Sequence, residues 1–182
     1  MSIVITGTPG VGKHTIGKEL AQKLKLDVID INKIAKNSGL LEKNDESNDV
    51  DTERLQEVLK EKISSNCVII GHLAPYVLEK DKISKVIVLR RSPYDLIKVY
   101  NERGYSDKKS KENASSEILG VITYDAKNQF QDKVVQIDVT ERSIQEVLEK
   151  VESIISEDMD SDEVDWLDLV TKNNDLKKFF AD

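Results

Sequence analysis

A layered α/β fold around a five-stranded parallel sheet is what this sequence predicts, and three observations predict it. Short apolar runs recur at Ile3-Val4-Ile5, Asp27-Val28-Ile29-Asp30, Cys67-Val68-Ile69-Ile70, Lys85-Val86-Ile87-Val88-Leu89 and Val134-Val135-Gln136-Ile137. Stretches of helical periodicity fill most of the intervals between them. Several of the runs are continuous rather than alternating, which suits strands buried on both faces. Strand alternating with helix means a parallel sheet with helices on both of its faces.

The elements follow in order. After the first strand, Ile16, Leu20, Ala21 and Leu24 mark a helix that ends near Leu24-Lys25. The second strand is Asp27–Asp30. Ile31 to Lys36 is a turn of helix closed by Asn37-Ser38-Gly39. Glu42 to Asp49 is polar and without periodicity, and is expected to be a mobile loop. Asp51 or Thr52 caps a helix with Leu55, Val58, Leu59 and Ile63 on one face. The third strand, Cys67–Ile70, is followed by Gly71-His72, and the fourth, Lys85–Leu89, by Arg90-Arg91. Ser92-Pro93-Tyr94-Asp95 starts a helix with a hydroxyl cap and a proline in the first turn. Residues 103 to 113 are polar and lysine-rich and are expected to be a loop. A longer helix then carries Ile118, Leu119, Ile122 and Ala126, and the fifth strand is Val134–Ile137. Ser143 and Glu146 form a capping box for a helix with Ile144, Val147, Leu148, Val151, Ile154 and Ile155 on one face. Past an acidic run, Val164, Trp166, Leu167, Leu169, Val170, Phe179 and Phe180 predict a small helical piece that docks on the body or on a partner rather than standing exposed.

At 182 residues, 38% of them hydrophobic and 34% charged, the chain has the size and balance of one domain with a short appendage. No apolar run is long enough to span a bilayer, and the N-terminus enters a strand at once, so neither membrane association nor a signal peptide is expected. A single cysteine, Cys67, suits a reducing, cytoplasmic setting. With two histidines in all, a structural zinc site is not expected. The net charge of −7 is uneven: from Glu157 to Asp182 nine acids face three lysines, a balance of −6, which leaves −1 for the remainder. A near-neutral body with an acidic tail is not expected to bind DNA directly; the tail suits either solvent or a basic protein.

The chemistry centres on Gly7-Thr8-Pro9-Gly10-Val11-Gly12-Lys13-His14-Thr15. Between a strand and a helix, G-x-x-x-x-G-K is a P-loop: backbone N–H groups and the positive end of a helix cradle phosphates, and Lys13 reaches the outer ones. His14 stands where the usual P-loop has Ser or Thr, and the hydroxyl comes one place later, at Thr15. In a parallel sheet, ligands collect beyond the carboxyl ends of the strands. Asp30, His72, Arg90 and Arg91 all fall at such ends. Phosphoryl transfer needs phosphates held, charge neutralised and the acceptor in line; Arg90, Arg91 and Arg103 are the candidate cations. Arg103 heads the loop that holds Lys108, Lys109 and Lys111, a candidate lid. His72 can position a water or an acceptor hydroxyl, because imidazole titrates near working pH.

The combination Gly-Thr-Pro-Gly-Val-Gly-Lys, Gly71-His72, and Arg103-Gly104-Tyr105 with Glu112-Asn113 and Glu117 resembles the adenylate kinase isoenzyme 6 family, small P-loop kinases and ATPases of small ribosomal subunit maturation. The resemblance runs from Ser2 to about Ile155, and Val164-Asp165-Trp166-Leu167 looks like archaeal members. It implies a P-loop NTPase fold of the nucleoside monophosphate kinase type. In that reading residues 1–156 are the kinase domain, with a monophosphate-binding segment at about 30–53 and a lid at about 103–113, and 157–182 is an acidic extension. It implies ATP held by Gly10, Val11, Gly12, Lys13, His14, Thr15 and Arg103, with Mg²⁺ as cofactor, and with Lys13, His72 and Arg103 in catalytic roles. ATP, ADP and AMP are the implied ligands, and a basic small-subunit ribosomal protein an implied partner. The metal contact nearest to hand is Thr15, and Asp30, Lys33, Arg90 and Arg91 are the candidate phosphate contacts. Two departures stand out. Ile70 occupies the place, two before His72, where the family has an acid beside the Mg²⁺ shell, so Ile70→Asp is expected to raise turnover. Residues 30–53 hold no arginine, which leaves Lys33, Lys36 or Arg54 to grip an acceptor phosphate. A nucleotide-dependent binding module with little catalysis, and a kinase of another small acceptor, are the alternative readings.

Overall fold

The computed structural model describes residues 2–43, 48–63, 66–157 and 160–180. Its main sheet has five parallel strands: β1 (Ser2–Thr6), β2 (Asp27–Asp30), β5 (Cys67–Ile70), β6 (Ile83–Arg90) and β7 (Val134–Asp138), in the order β2-β5-β1-β6-β7. Register is fixed by pairs such as Ile3↔Val68, Asp30↔Ile70 and Val88↔Gln136. The continuous apolar runs are explained by two cores. Ile3 and Ile5 of β1 point into one, with Ile70, Ile87 and Leu89. Val4 points into the other, with Ile69, Val86 and Val88. A strand buried on both faces has no polar side to show.

The first core lies under α1 (Lys13–Leu24), α5 (Pro93–Glu102), α6 (Asp107–Ile118) and α8 (Ile144–Glu157). The second lies under α2 (Ile31–Asn37), α3 (Thr52–Lys62), α4 (Ala74–Val77) and α7 (Val121–Phe130). Local signals set several ends. Asp30 and Asp51 cap α2 and α3 by accepting from the N–H of Lys33 and Arg54, each at 3.0 Å. Ser143 and Glu146 close the expected capping box, with the Ser143 N–H 2.8 Å from Oε2.

Four expectations change. Within the stretch read as a mobile loop, β3 (Leu41–Lys43) pairs antiparallel with β4 (Asn48–Val50), because a backbone ladder needs no apolar side chains; positions 44 to 47 lie outside the described residues. Most of the polar 103–113 stretch is helix, beginning at Ser106, whose side chain caps the Lys109 N–H. The longer helix expected to follow is two, α6 and α7, broken at Gly120 (φ +64°), and Leu119 is exposed. Ser92 makes no side-chain cap, and α5 starts on Pro93 alone.

The C-terminal segment forms two short helices, α9 (Trp166–Lys172) and α10 (Leu176–Phe180), on the outer side of α6. Val170 and Phe179 enter the first core. Before them, Ser161 and Asp162 pair with the backbone of Gln136 on the edge strand, and Asp162 takes Arg142 and Lys150. The extension set apart by composition thus shares the core of the body.

Candidate functional site

The turn from β1 to α1 is held from below. Gly7 sits at φ +137°, and a Cβ there would lie 2.4 Å from the Leu89 carbonyl oxygen, so no side chain fits. The Tyr100 hydroxyl donates to the Pro9 carbonyl at 2.6 Å, and the Thr8 hydroxyl donates to Glu117 at 2.6 Å. Gly12 begins α1 in the left-handed region with no side-chain cap. The first-turn N–H groups are therefore left for an anion, at the positive end of the helix.

Lys13 is buried, with its Nζ 3.3 Å from the Thr8 carbonyl. Burial, then the Arg103 guanidinium, lowers its pKa to about 8, against the opposing pull of Asp30 and Glu117. An ammonium held this far from comfort is a receptor for phosphate charge.

A cleft of about 780 Å³ opens beside the turn. Of the residues singled out in the sequence, Gly10, Gly12, Lys13, His14, Thr15, His72 and Arg103 line it. Five do not. Val11 turns its side chain into the core, 2% exposed, leaving only its backbone near the cradle. Asp30 faces His14, Oδ2 to Nε2 at 3.1 Å. Lys33 is exposed outside the lining. Arg90 corrects its reading as a phosphate contact: it is 4% exposed and bonds Glu117, Thr123 and Gln136, so its donors are taken up inside. Arg91 also stays out of the lining, its Nε buried without a partner and its backbone N–H on Glu117.

His72 corrects a second expectation. Burial, with Lys13 and His14 nearby, lowers its pKa to about 4. The ring is neutral at working pH and does not titrate there.

Other lining residues complete the walls. From α2 come Lys36 and, not singled out in the sequence, Asn32, four apart on one helix face. Of the three cations the sequence left open, only Lys36 lines the cleft, and Arg54 points to Asp51 instead. From the 103–113 stretch come Tyr105, Lys109, Glu112 and Asn113, all named in the sequence. Tyr105 stacks on Tyr100 at 5.5 Å, with Lys109 4.7 Å above its ring. The stretch expected to be a lid is thus an arm of helix following Arg103-Gly104, with Gly104 at φ +67°.

The donors fit a hard divalent cation held mainly by phosphate oxygens. Thr15 offers an exposed hydroxyl in the first turn of α1, and Asp30 a carboxylate beside His14. Among the described residues no group of three or more His, Cys, Asp or Glu could hold an ion alone. Ile70, register partner of Asp30, is fully buried and packs on α1: a Cβ on Gly17 would meet its Cδ1 at 2.6 Å. The acid beside the cradle stands one strand over from the expected place.

A strand-turn-helix phosphate cradle at the carboxyl edge of a 2-5-1-6-7 parallel sheet, faced by a helical lid, defines a P-loop α/β protein of the nucleoside monophosphate kinase type. A model described as AAA domain matches residues 3–120. The chain is 37% identical over 172 residues to "Putative adenylate kinase" of Methanocaldococcus jannaschii, covering 91% of this chain and 93% of that one. It is 35% identical over 154 residues to the protein of the same name in Saccharolobus islandicus (strain Y.G.57.14 / Yellowstone #1), covering 83% and 81%. The chain belongs to this family of P-loop nucleotide kinases. Solved structures share the fold at low identity. A gluconokinase from Sinorhizobium meliloti 1021 has a TM-score of 0.54 at 15% identity, covering 85% of this chain and 91% of that one. The YorR protein of Bacillus subtilis, solved with phosphorylated GDP, has 0.58 at 18%, covering 86% and 96%. No helix among the described residues is long and apolar enough to cross a membrane.

Proposed function

We propose that the protein is an adenylate kinase, transferring the terminal phosphoryl of Mg²⁺-ATP to AMP and, more slowly, to water. The observation that carries this reading is that one cleft joins the cradle, Lys13 and Arg103 to a second wall bearing Lys36 and His72. Such a cavity can hold a donor and an acceptor at once. The α1 N–H groups and Lys13 take the donor phosphates. Arg103 and Lys109, swinging on the lid arm, add positive charge where it develops and exclude water. Lys36 holds the acceptor phosphate. His72, neutral, orients the attacking oxygen by a hydrogen bond rather than as a cation. Mg²⁺, when bound with the nucleotide, neutralises phosphate oxygens, and Thr15 and Asp30 are the residues placed to meet it or its waters.

A second reading, a nucleotide-dependent binding module that catalyses little, is favoured by Ile70 in place of an acid; a kinase of another small acceptor is the third. A cytoplasmic role in small ribosomal subunit maturation, with a basic ribosomal protein as partner, is supported by the family resemblance. The acidic tail is compatible with such a partner, with Asp162 and Asp168 already paired within the chain. The test is one assay of purified protein with Mg²⁺-ATP, with and without AMP and other monophosphates. Two ADP formed per AMP consumed is the expected result. Phosphate release alone marks an ATPase. ATP binding with no turnover above a Lys13→Ala control overturns the enzyme in favour of the binding module.

A further inference from the structure

One carboxylate outside the cleft wall gathers hydrogen bonds from separate parts of the chain. Glu117, 1% exposed, lies at the inner end of α6. Its Oε2 accepts the Thr8 hydroxyl at 2.6 Å. Its Oε1 accepts from Arg90 Nε at 2.7 Å, the Arg91 backbone N–H at 3.1 Å and the Trp166 indole N–H at 3.1 Å. One oxygen therefore serves the phosphate cradle, and the other serves the end of β6 and the C-terminal helices.

What hangs from this carboxylate is much of the site. Thr8 also presents its carbonyl to the Lys13 ammonium and to the Val11 N–H, so turning Thr8 moves the lysine and the loop together. The outer half of α6 carries Lys109, Glu112 and Asn113 into the cleft. Further along α6, Ser115 bonds the Phe179 carbonyl of α10 at 2.7 Å. Around a buried carboxylate, bonds polarise one another, and losing one donor changes the strength and direction of the rest.

We propose that Glu117 is a positioning residue for the phosphate cradle, and that the Trp166 N–H seated on it lets the docked C-terminal segment set the affinity for nucleotide phosphate. This rests on the nucleotide-binding reading above. By linkage the coupling is reciprocal: nucleotide in the cradle must tighten the C-terminal segment by the same factor.

The test uses the full chain. Trp166→Phe keeps an aromatic ring and removes the donor. Dissociation constants for ADP and Mg²⁺-ATP are measured by calorimetry beside the melting temperature, and Ser143→Ala, which removes the capping box of α8, is the control for a loss of stability alone. Trp166→Phe is expected to weaken nucleotide binding about threefold or more, the size of one lost hydrogen bond felt at the site, and Ser143→Ala to change only stability. In the wild type, nucleotide is expected to shift the emission of Trp166, the only tryptophan in the chain, and to slow amide exchange across 160–180. An unchanged dissociation constant in Trp166→Phe with a lowered melting temperature overturns the proposal and leaves a structural brace. So does wild-type nucleotide binding that moves neither the emission nor the exchange, a readout that stands even if the variant fails to fold. A wild-type chain that binds no nucleotide overturns the nucleotide reading itself, and this inference with it, which is a different result from binding without coupling.

Discussion

Lys13 shows how one residue stores its function in its environment. Its folded pKa, lowered to about 8 from 10.5, means that between those values the unfolded chain binds more protons than the folded one. Stability therefore rises with pH from about 8 to 10.5 as this strain is relieved. Phosphate in the cradle reverses the shift, because an opposite charge restores the ammonium. Nucleotide binding near pH 8.5 to 9 is expected to take up a proton, seen as a binding heat that depends on the buffer's ionisation enthalpy, and Lys13→Met should abolish that dependence. His72 sits on the other side of working pH: depressed to about 4, it leaves no step of its own in the activity profile between pH 6 and 8. Ile70 reverses an expectation. An aspartate there would be buried against α1 beside Gly17 rather than offered to a metal. Ile70→Asp should cost about 3 kcal/mol or more, lowering the melting temperature by several degrees with no gain in turnover.

At the scale of elements, helix ends and breaks decide where the site's arms lie. The capping box at Ser143 and Glu146 satisfies otherwise unpaired N–H groups at the start of α8. Ser143→Ala should cost about 1 kcal/mol in urea unfolding without changing nucleotide affinity. The lid arm is more instructive. Its first turns, Asp107 to Asn113, show no apolar stripe, since the one buried side chain there is the small, polar Ser110 while Lys109, Glu112 and Asn113 line the cleft, so periodicity reads them as loop. What makes them helical is local: the Ser106 cap, strong helix formers, and an inner end locked by Glu117 and Ile118. Gly120 then breaks the run, because it takes a left-handed backbone at φ +64° that side chains rarely adopt, while a Cβ there would make only ordinary contact with Arg90 at 3.5 Å.

Across the whole molecule, the acidic C-terminal segment is the part whose role composition conceals. Phe179 is 1% exposed and meets Tyr94 edge to face at 5.4 Å. Tyr94 in turn donates to Asp175 at 2.8 Å and accepts from Asn173 at 3.0 Å. Phe179→Ala is expected to destabilise the entire fold by about 3 to 5 kcal/mol in a single cooperative transition. An early separate melting of the tail alone would show that the extension is a unit of its own.

From the sequence itself came the strands, the P-loop turn with Lys13 and the kinase family, because each rests on local pattern: an apolar run, a glycine spacing, a motif after a strand. The tertiary structure alone decided which charged groups face the cleft. Arg90 and Lys36 are both cations near strand ends or helix turns in the sequence, yet one is consumed by Glu117, Thr123 and Gln136 while the other opens on the cleft. The direction in which a side chain points depends on partners far away along the chain. For Glu117 those partners lie 109 residues off at Thr8 and 49 residues off at Trp166, beyond the reach of any local pattern.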